Sequence, residues 1–374
     1  MNCYQNEDIM SKRWIKLFDP FIDHNEEKAV LKTLKSKFWA SGSGVGNVEK
    51  FENNFNHYLG SKKCVTVNSG TAALHLALSL IDLKGKEVIL PSLSFASTAH
   101  AVLYNGGIPR FVDIDETTLC INSDEIEKNI SNKSAVILPV HFAGMPCNIN
   151  KILKISKENN VKLIEDAAHA AGSKFQNKKI GSHGMAVCFS FHPVKNLAMP
   201  TGGLIALNGN MSSKNESELK SKRWCGISNR KNYVYDITKL GWNYYLNELS
   251  ATIGIEQLKK LDKLNLKRKN NAKRFSKEIK IENKMEFNNN CSYHFYWIRV
   301  KKRTKFMNFM KKANIETGIH YKPIHQMTLY KNKIKLPITD KISNEIVSLP
   351  THPNLSEENI SRIINVVNKW NQMN

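Results

Sequence analysis

The chain alternates short apolar runs with segments in which apolar residues recur at helical spacing. The runs are rich in Val, Ile, Leu and Phe, which favours strands, and helical patterns follow several of them. Strands are predicted at 64–68, 87–90, 110–114, 135–140, 162–166, 188–191 and 204–207, and helices from Thr71, over 96–104 and over 149–158. This alternation predicts an α/β fold with a mostly parallel sheet covered by helices on both faces. Ligands then bind at the carboxyl ends of the strands.

The C-terminal part has a different pattern. After Leu246 a helix with apolar residues extends to about residue 264, and a basic helix over 259–280 follows as a bridge. Further elements are predicted as a strand at 296–300, a helix over 305–312, a strand at 320–324 and a closing helix from Glu357. We therefore expect a large α/β domain over 25–260 and a smaller α+β domain over 261–374, which residues 1–24 join.

Length and charge restrict the function classes. The 374 residues, 41% of them hydrophobic, suffice for two domains with a buried sheet. The net charge of +22 raises the possibility of nucleic-acid binding. However, the basic residues are mostly dispersed Lys beside Asn and Ile, and no helix-turn-helix or zinc-finger pattern accompanies them. We expect no nucleic-acid partner, although a basic surface would attract a diphosphate-bearing substrate.

The sequence predicts a cytoplasmic protein. The first thirty residues carry charges throughout and lack the apolar stretch of a signal peptide. No apolar run approaches the roughly twenty residues that span a bilayer, so membrane insertion is not expected. The seven cysteines are scattered without CxxC spacing, which argues against a disulfide framework and against a metal site.

Asn68-Ser69-Gly70-Thr71-Ala72 lies where a strand ends and an Ala/Leu-rich helix begins. Glycine permits a tight turn, and the helix N-terminus with Ser and Thr hydroxyls forms an anion site. An ordinary helix N-cap explains the same residues. Taken alone, this motif therefore does not establish phosphate binding.

Glu165 and Asp166 close the apolar strand at 162–166, and His169 follows one helical turn later. A carboxylate at this position could bind a metal, act as a base or hold a protonated ring nitrogen. A helix cap is equally compatible with it. The motif alone leaves these alternatives open.

Lys195 ends the segment 190–195, which leaves the strand at 188–191 and precedes Gly202-Gly203. A lysine in such a partly buried turn loses solvation, which lowers its pKa and makes the neutral amine a nucleophile for aldehydes. An ordinary surface lysine is the alternative. An anion-binding turn, a strand-end Asp and a strand-end Lys in this order are the parts that a pyridoxal-phosphate (PLP) site requires.

The sequence resembles the DegT/StrS-type sugar aminotransferases, a family of fold-type-I PLP enzymes, over nearly its whole length. The phrases that carry the resemblance follow the family's order: NSGTAALH, PSLSFASTAHAV, EDAAHA, SFHPVKN, GWNYYLNELSATIGIEQL, GIHYKPIH and SLPTHP.

The resemblance implies that Lys195 holds PLP as a Schiff base and that Asp166 pairs with the ring nitrogen. It also implies that Phe95 stacks on the ring and that His169 contacts its 3-oxygen side. Lys195, Asp166 and His169 are thus the expected catalytic residues. The resemblance further implies that Gly70, Thr71 and Ser190 bind the phosphate, and that Asn243 reaches it from the partner subunit of a homodimer with shared active sites.

The resemblance also implies a sugar site. His320, Tyr321 and His325 match positions near the sugar. An acidic residue common in the family's loop after the lysine is missing from 198–203, and Tyr245 stands where many members have Arg. In addition, Gly42–Gly46 does not match GxGxxG and does not follow a strand, so a Rossmann dehydrogenase is not expected.

The expected reaction moves an amino group from an amino acid, glutamate, to a nucleotide-linked keto-sugar, with pyridoxamine phosphate (PMP) as intermediate. Such chemistry serves amino-sugar and surface-polysaccharide biosynthesis. The alternatives are a PLP- or PMP-dependent sugar dehydratase, an aminotransferase for a cyclitol or another keto-sugar, and a PLP-binding regulator without turnover. Lys195 argues against the dehydratase, in which histidine replaces the lysine. The nucleotide, the sugar and the aminated carbon are not specified by the sequence.

Overall fold

A seven-stranded sheet forms the centre of the computed structural model, which describes residues 14–330 and 334–373. Its strands, in spatial order, are β1 (Lys63–Val67), β9 (Gly203–Leu207), β8 (Ala186–Ser190), β5 (Lys162–Asp166), β4 (Ser134–Ile137), β2 (Glu87–Pro91) and β3 (Ile108–Val112). Three two-stranded sheets are β6 (Lys174–Phe175) with β7 (Lys178–Lys179), β10 (Ile227–Lys231) with β11 (Val234–Ile237), and β12 (Tyr296–Arg299) with β13 (Ile346–Leu349).

The central sheet is mostly parallel, as predicted. Strands β3, β2, β4, β5 and β8 pair in parallel, whereas β9 is antiparallel to both β1 and β8. The register pairs Asp166 of β5 with Cys188 of β8. The carboxyl ends of these two strands therefore lie side by side, where the fold class expects a ligand.

Helices cover both faces of this sheet. The helices of the described residues are α1 (His24–Ser36), α2 (Asn47–Leu59), α3 (Gly70–Leu78), α4 (Ser97–Tyr104), α5 (Ser123–Asn129), α6 (Ile149–Glu158), α7 (Ser212–Lys222), α8 (Glu248–Glu278), α9 (Arg303–Lys312), α10 (Pro337–Glu345) and α11 (Glu357–Met373), and the last three pack around β12, β13 and α8. Within the described residues, none of them is both long enough and apolar enough to pass through a bilayer.

Burial on both faces explains why the strands read as continuous apolar runs. In β8, Val187 and Phe189 pack into one apolar cluster, whereas Ala186 and Cys188 pack into a second cluster on the other face. Successive strand residues point to opposite faces, so a strand that is covered on both sides needs apolar residues at every position.

Helix α8 is a single helix of 31 residues. The Asn247 side chain caps its start by accepting a hydrogen bond of 2.7 Å from the Ser250 amide. The basic stretch at 259–280 is thus a continuation of the preceding helix, which crosses the predicted boundary between residues 260 and 261. The Ile15 amide donates a 2.9 Å hydrogen bond to the Asn314 carbonyl, so residue 15 pairs with the C-terminal part. The two-domain division remains a prediction.

The strand predicted at 320–324 is wrong. Only the 3₁₀ turn Ile324–Gln326 begins in this segment, and β12 pairs instead with β13. Pro323 interrupts the segment and has no amide hydrogen for a strand ladder, which explains the difference.

Candidate active site

A cavity of about 410 Å³ lies at the carboxyl ends of β5 and β8. Nine of the residues predicted from the sequence line it: Gly70, Thr71, Phe95, Asp166, His169, Ser190, Lys195, His320 and Tyr321. Segments far apart in the sequence therefore form one site. In the described part of the chain, no three His, Cys, Asp or Glu side chains group to hold a metal ion.

Asp166 is the last residue of β5, and its carboxylate is held from two sides. Thr98 Oγ1 donates to Oδ2 at 2.8 Å, and the Ala168 amide donates to Oδ1 at 3.1 Å. Burial raises the pKa of Asp166, and these two hydrogen bonds and the charge of Lys195 oppose that rise. The carboxylate is thus fixed in orientation at the cavity wall, ready to accept from a cationic N–H group.

Lys195 follows β8 in a turn closed by a 2.8 Å hydrogen bond from its own amide to the His192 carbonyl. Burial lowers the pKa of Lys195 to about 8, and the negative charge of Asp166 opposes this shift. Across residues 14–330 and 334–373, Nζ has no hydrogen-bond acceptor or ion-pair partner. An amine that is neutral in part near neutral pH and has no partner is available as a nucleophile and as a proton carrier.

The turn before α3 is tight and faces Ser190. Ser69 caps α3 through Oγ, which accepts from the Ala72 amide at 3.1 Å. A Cβ on Gly70 would lie 2.7 Å from Ser190 Cβ, so only glycine lets the turn approach β8 this closely. The positive end of the α3 dipole and the Thr71 and Ser190 hydroxyls therefore meet at one corner of the cavity.

Aromatic rings form another wall of the cavity. Tyr321 lies with its ring centre 6.0 Å from that of His169 and 6.1 Å from that of Phe95. The Phe95 side chain is 61% exposed although it lines the cavity. A large exposed aromatic face inside a cavity is suited to stacking on a planar ligand.

Two predicted residues do not line the cavity. Asn243 is exposed, and its carbonyl accepts a 3.4 Å hydrogen bond from Asn68 Nδ2. His325 is buried, with Ser92 Oγ 2.7 Å from Nδ1 and Asp340 Oδ1 3.1 Å from Nε2. His325 thus links the 320s segment to β2 and α10, and its sugar contact remains a prediction.

Sequence reasoning missed three polar residues behind the cavity wall. Thr98 lies one helical turn after Phe95, a spacing that could have identified it. Asn196 and Asn265 join the Lys195 turn to α8 by a side-chain hydrogen bond of 2.8 Å. Their separation in sequence gave no local signal for this contact.

Comparison with known proteins relates this site to an enzyme family. The sequence profile of the DegT/DnrJ/EryC1/StrS aminotransferase family matches residues 20–368. The chain belongs to this aminotransferase family. GDP-perosamine synthase of Escherichia coli O157:H7 is 30% identical to this family member over 96% of the chain and 99% of the relative.

Solved structures of the DegT/DnrJ/EryC1/StrS family share the fold. PseC of Helicobacter pylori, an aminotransferase involved in the biosynthesis of pseudoaminic acid, is 28% identical, with a TM-score of 0.91 over 96% of this chain and 100% of PseC. The putative sugar aminotransferase Spr1654 of Streptococcus pneumoniae, in its PMP form, is 26% identical, with a TM-score of 0.91 over 96% and 98% of the two chains. The predicted fold class, family and transaminase activity are confirmed.

Proposed function

We propose that this chain is a PLP-dependent aminotransferase that transfers the amino group of glutamate to a nucleotide-linked keto-sugar. The observation that carries the proposal is the Lys195 amine, which is buried in the cavity, has no partner among the described residues and has a pKa lowered to about 8.

The cavity residues fit PLP. Asp166 would accept from the ring nitrogen, Lys195 would hold the aldehyde carbon, and Phe95 would stack on the ring face. The turn at Gly70 and Thr71 offers the phosphate a helix N-terminus. When bound, PLP supplies an electron sink for the carbon that loses its proton, and PMP carries the amino group between the two substrates.

Each of the two charged residues has a distinct task in this proposal. Asp166 keeps the ring nitrogen protonated, because an ionised carboxylate stabilises the N–H⁺ that it accepts from. The free Lys195 amine would take the substrate's α-proton at Nζ and would return a proton to the cofactor carbon that carries the amino group. A pKa of about 8 suits both steps, since a general acid–base group is most effective when its pKa lies near the working pH.

The relatives' names, the exposed apolar surface and the cysteines support the proposed sugar substrate, dimer and location. The Escherichia coli relative is named GDP-perosamine synthase, and the Helicobacter pylori relative belongs to pseudoaminic acid biosynthesis. These names favour a nucleotide-linked keto-sugar and a role in surface-polysaccharide biosynthesis. A homodimer is supported by large exposed apolar side chains, including Trp39 at 50% and Leu240 at 82%. The proposed location is the cytoplasm, from the scattered cysteines.

Reduction by borohydride tests the proposal at its central residue. Treatment of the PLP-loaded protein should fix a cofactor-sized mass on the peptide that contains Lys195. Lys195→Ala should yield no such adduct and no half-reaction with glutamate. Lys179→Ala is the matched control, because burial also lowers the pKa of Lys179, which lies outside the cavity. This variant should keep both the adduct on Lys195 and the half-reaction with glutamate. An adduct on another lysine, or normal turnover of Lys195→Ala, would overturn the proposal.

A further inference from the structure

Arg268 is a buried cation without a counter-ion. It lies on α8 and is 3% exposed, and neither its Nε nor its Nη1 has a hydrogen-bond acceptor among residues 14–330 and 334–373. No carboxylate in these residues forms an ion pair with it. Burial lowers the pKa of Arg268 to about 10. A buried charge costs free energy unless an opposite charge lies beside it, so the surroundings of Arg268 favour an anion.

A second buried arginine shows the paired arrangement. Arg223 is fully buried, and its Nη1 donates to Glu52 Oε1 at 2.6 Å and to the Thr66 carbonyl at 3.0 Å. The chain thus supplies a carboxylate to Arg223 but not, within the described ranges, to Arg268. The two arginines form a matched pair for experiment, because they share charge and burial and differ in the counter-ion.

Two buried histidines near Arg268 also have nitrogen atoms without a partner. Of the ten buried side-chain nitrogen and oxygen atoms that lack a hydrogen-bond partner in the described part of the chain, four belong to Arg268, His294 and His352. Burial lowers the pKa of both histidines, that of His352 to about 4, and the charge of Arg268 lowers each further. We call these three residues the Arg268 cluster. It lies where α8, the segment before β12 and the loop after β13 meet.

The other contacts of the two histidines determine which nitrogen atoms can donate. His352 Nε2 lies 3.0 Å from the Lys16 carbonyl, which can only accept, so the neutral His352 ring carries its proton on Nε2. Its Nδ1 becomes a donor when the ring gains a second proton, which an adjacent anion favours. His294 Nδ1 has no partner in the described chain and is free to carry its ring's proton. Arg268 and His294 can thus donate to an anion directly.

Asp19 acts on the edge of the Arg268 cluster without neutralising it. Its charge raises the pKa of His352, and its carboxylate accepts from Asn354 Nδ2 at 2.7 Å. No ion pair joins Asp19 to Arg268 among the residues that the structure describes. The positive charge of Arg268 therefore remains for a partner from solution.

We infer that the Arg268 cluster binds one small monovalent anion of the size of chloride. The anion accepts hydrogen bonds from Arg268 and His294 and neutralises the guanidinium charge. A buried water would satisfy the hydrogen bonds but not the charge. The net charge of +22 favours this uptake, because a positive field concentrates small anions around the protein. The inference goes beyond the proposed function and does not depend on it, since none of the three residues lines the cavity at β5 and β8.

Thermal unfolding of the full chain with PLP tests the site in two salts. Potassium chloride supplies the small anion, and potassium gluconate at the same ionic strength supplies an anion too large for a buried cluster. Chloride at about 100-fold above its Kd should raise the melting temperature of the wild type by about 3 °C more than that of Arg268→Met. In gluconate, Arg268→Met should be at least as stable as the wild type, because it removes an unpaired buried charge.

Two conservative variants serve as controls. Arg268→Lys retains a cation in the cluster and should keep a chloride effect. Arg223→Lys retains a cation beside Glu52 but loses part of the hydrogen bonding to it. Arg223→Lys should therefore be less stable than the wild type in both salts, while its response to chloride equals that of the wild type.

Crystals of the wild type grown in sodium bromide provide a test that needs no variant. The anomalous signal should show a bromide in contact with Arg268. No peak there, or equal responses of the wild type and Arg268→Met to chloride, would mean that water occupies the cluster and would overturn the inference. A bromide peak without any chloride effect on the wild-type melting temperature would show an adventitious ion only, with the same consequence.

Discussion

Asn265 Oδ1 of α8 accepts a 2.8 Å hydrogen bond from Nδ2 of Asn196, the residue directly after Lys195. The other end of the Asn265 amide donates to the Ala171 carbonyl at 2.9 Å, in the loop that follows Asp166. Gly172, with φ +90°, leaves room for the Asn265 amide, which a Cβ there would displace. One side chain thus holds the loops of the amine and of the carboxylate at a fixed separation.

Replacing Asn265 with Ala should reduce kcat by about 100-fold with a smaller effect on KM, because a displacement of about 1 Å in a catalytic group has that consequence. It should also lower the free energy of unfolding by about 1–3 kcal/mol, through the buried partners left unpaired. Steady-state kinetics and denaturant titration measure the two effects.

The control for this variant is Asn271→Ala. Asn271 is also buried on α8, but its side chain donates to the Thr351 and His352 carbonyls instead of to either loop. It should lose stability while kcat stays near the wild-type value. Equal losses of kcat in Asn265→Ala and Asn271→Ala would show that Asn265 acts only through stability.

Replacing Asp166 with Asn should leave the protein folded and lower transamination by orders of magnitude. A neutral amide cannot stabilise a protonated ring nitrogen, although it can still accept from Thr98. The rate of the half-reaction with glutamate checks this, with Asp262→Asn, an exposed partner of Lys179, as control. Turnover near that of the wild type would refute the role of Asp166, and Glu165 would be tested next.

The rate at which PLP attaches to the apoprotein should rise with pH around a midpoint of about 8, the pKa of Lys195. Below this pH the amine is protonated and not nucleophilic. Unfolding releases Lys195 to its ordinary pKa of 10.5, so the unfolded state binds more protons between pH 8 and 10.5, and this group's contribution to stability rises with pH there. Asp166→Asn should lower the midpoint, since the Asp166 charge raises this pKa. A midpoint near 10.5 would contradict the buried environment.

Replacing Gly70 with Ala should weaken retention of PLP while Lys195 remains reactive. The added methyl group would lie 2.7 Å from Ser190 Cβ, so the turn must move away from β8. Dialysis followed by absorbance measures retention. Gly60→Ala, where an added Cβ meets no atom within 4 Å, controls for replacing a glycine, although its positive φ of 71° carries a backbone cost. Wild-type retention in Gly70→Ala would place the phosphate elsewhere.

Mixed dimers test whether Asn243 completes the partner's site. The Asn243→Ala variant and the Lys195→Ala variant should each have low transaminase activity on its own. If active sites are shared, a hybrid of the two variants has one intact site and one site with both defects. A mixture refolded at equal amounts should therefore regain about a quarter of wild-type activity. If no activity returns from a mixture that forms hybrid dimers, each site is built from one chain.

The sequence predicted the strands of the sheet better than it predicted the hydrogen bonds that hold the active-site loops in place. Continuous apolar runs identify strands covered on both faces, and β5 begins and ends where expected. Helix α1 was missed because its buried positions are the polar residues Glu26 and Thr33, whereas its leucines Leu31 and Leu34 are exposed, so the sequence shows no apolar face. The contacts of Asn265 with Asn196 and Ala171 join residues that meet only after folding, so no local pattern could reveal them.

The continuity of α8 also determines where this chain can be recombined with its relatives. At 1.5 Å per residue the helix is about 46 Å long, and Asn265 lies near its middle. A chimera joined at residue 260 would take Asn265 from one parent and its partners Asn196 and Ala171 from the other. Breakpoints before residue 248 or after residue 278 leave the helix whole. A breakpoint after residue 278, or one before residue 171, takes Asn265, Asn196 and Ala171 from a single parent, whereas one between residues 196 and 248 separates Asn265 from both partners.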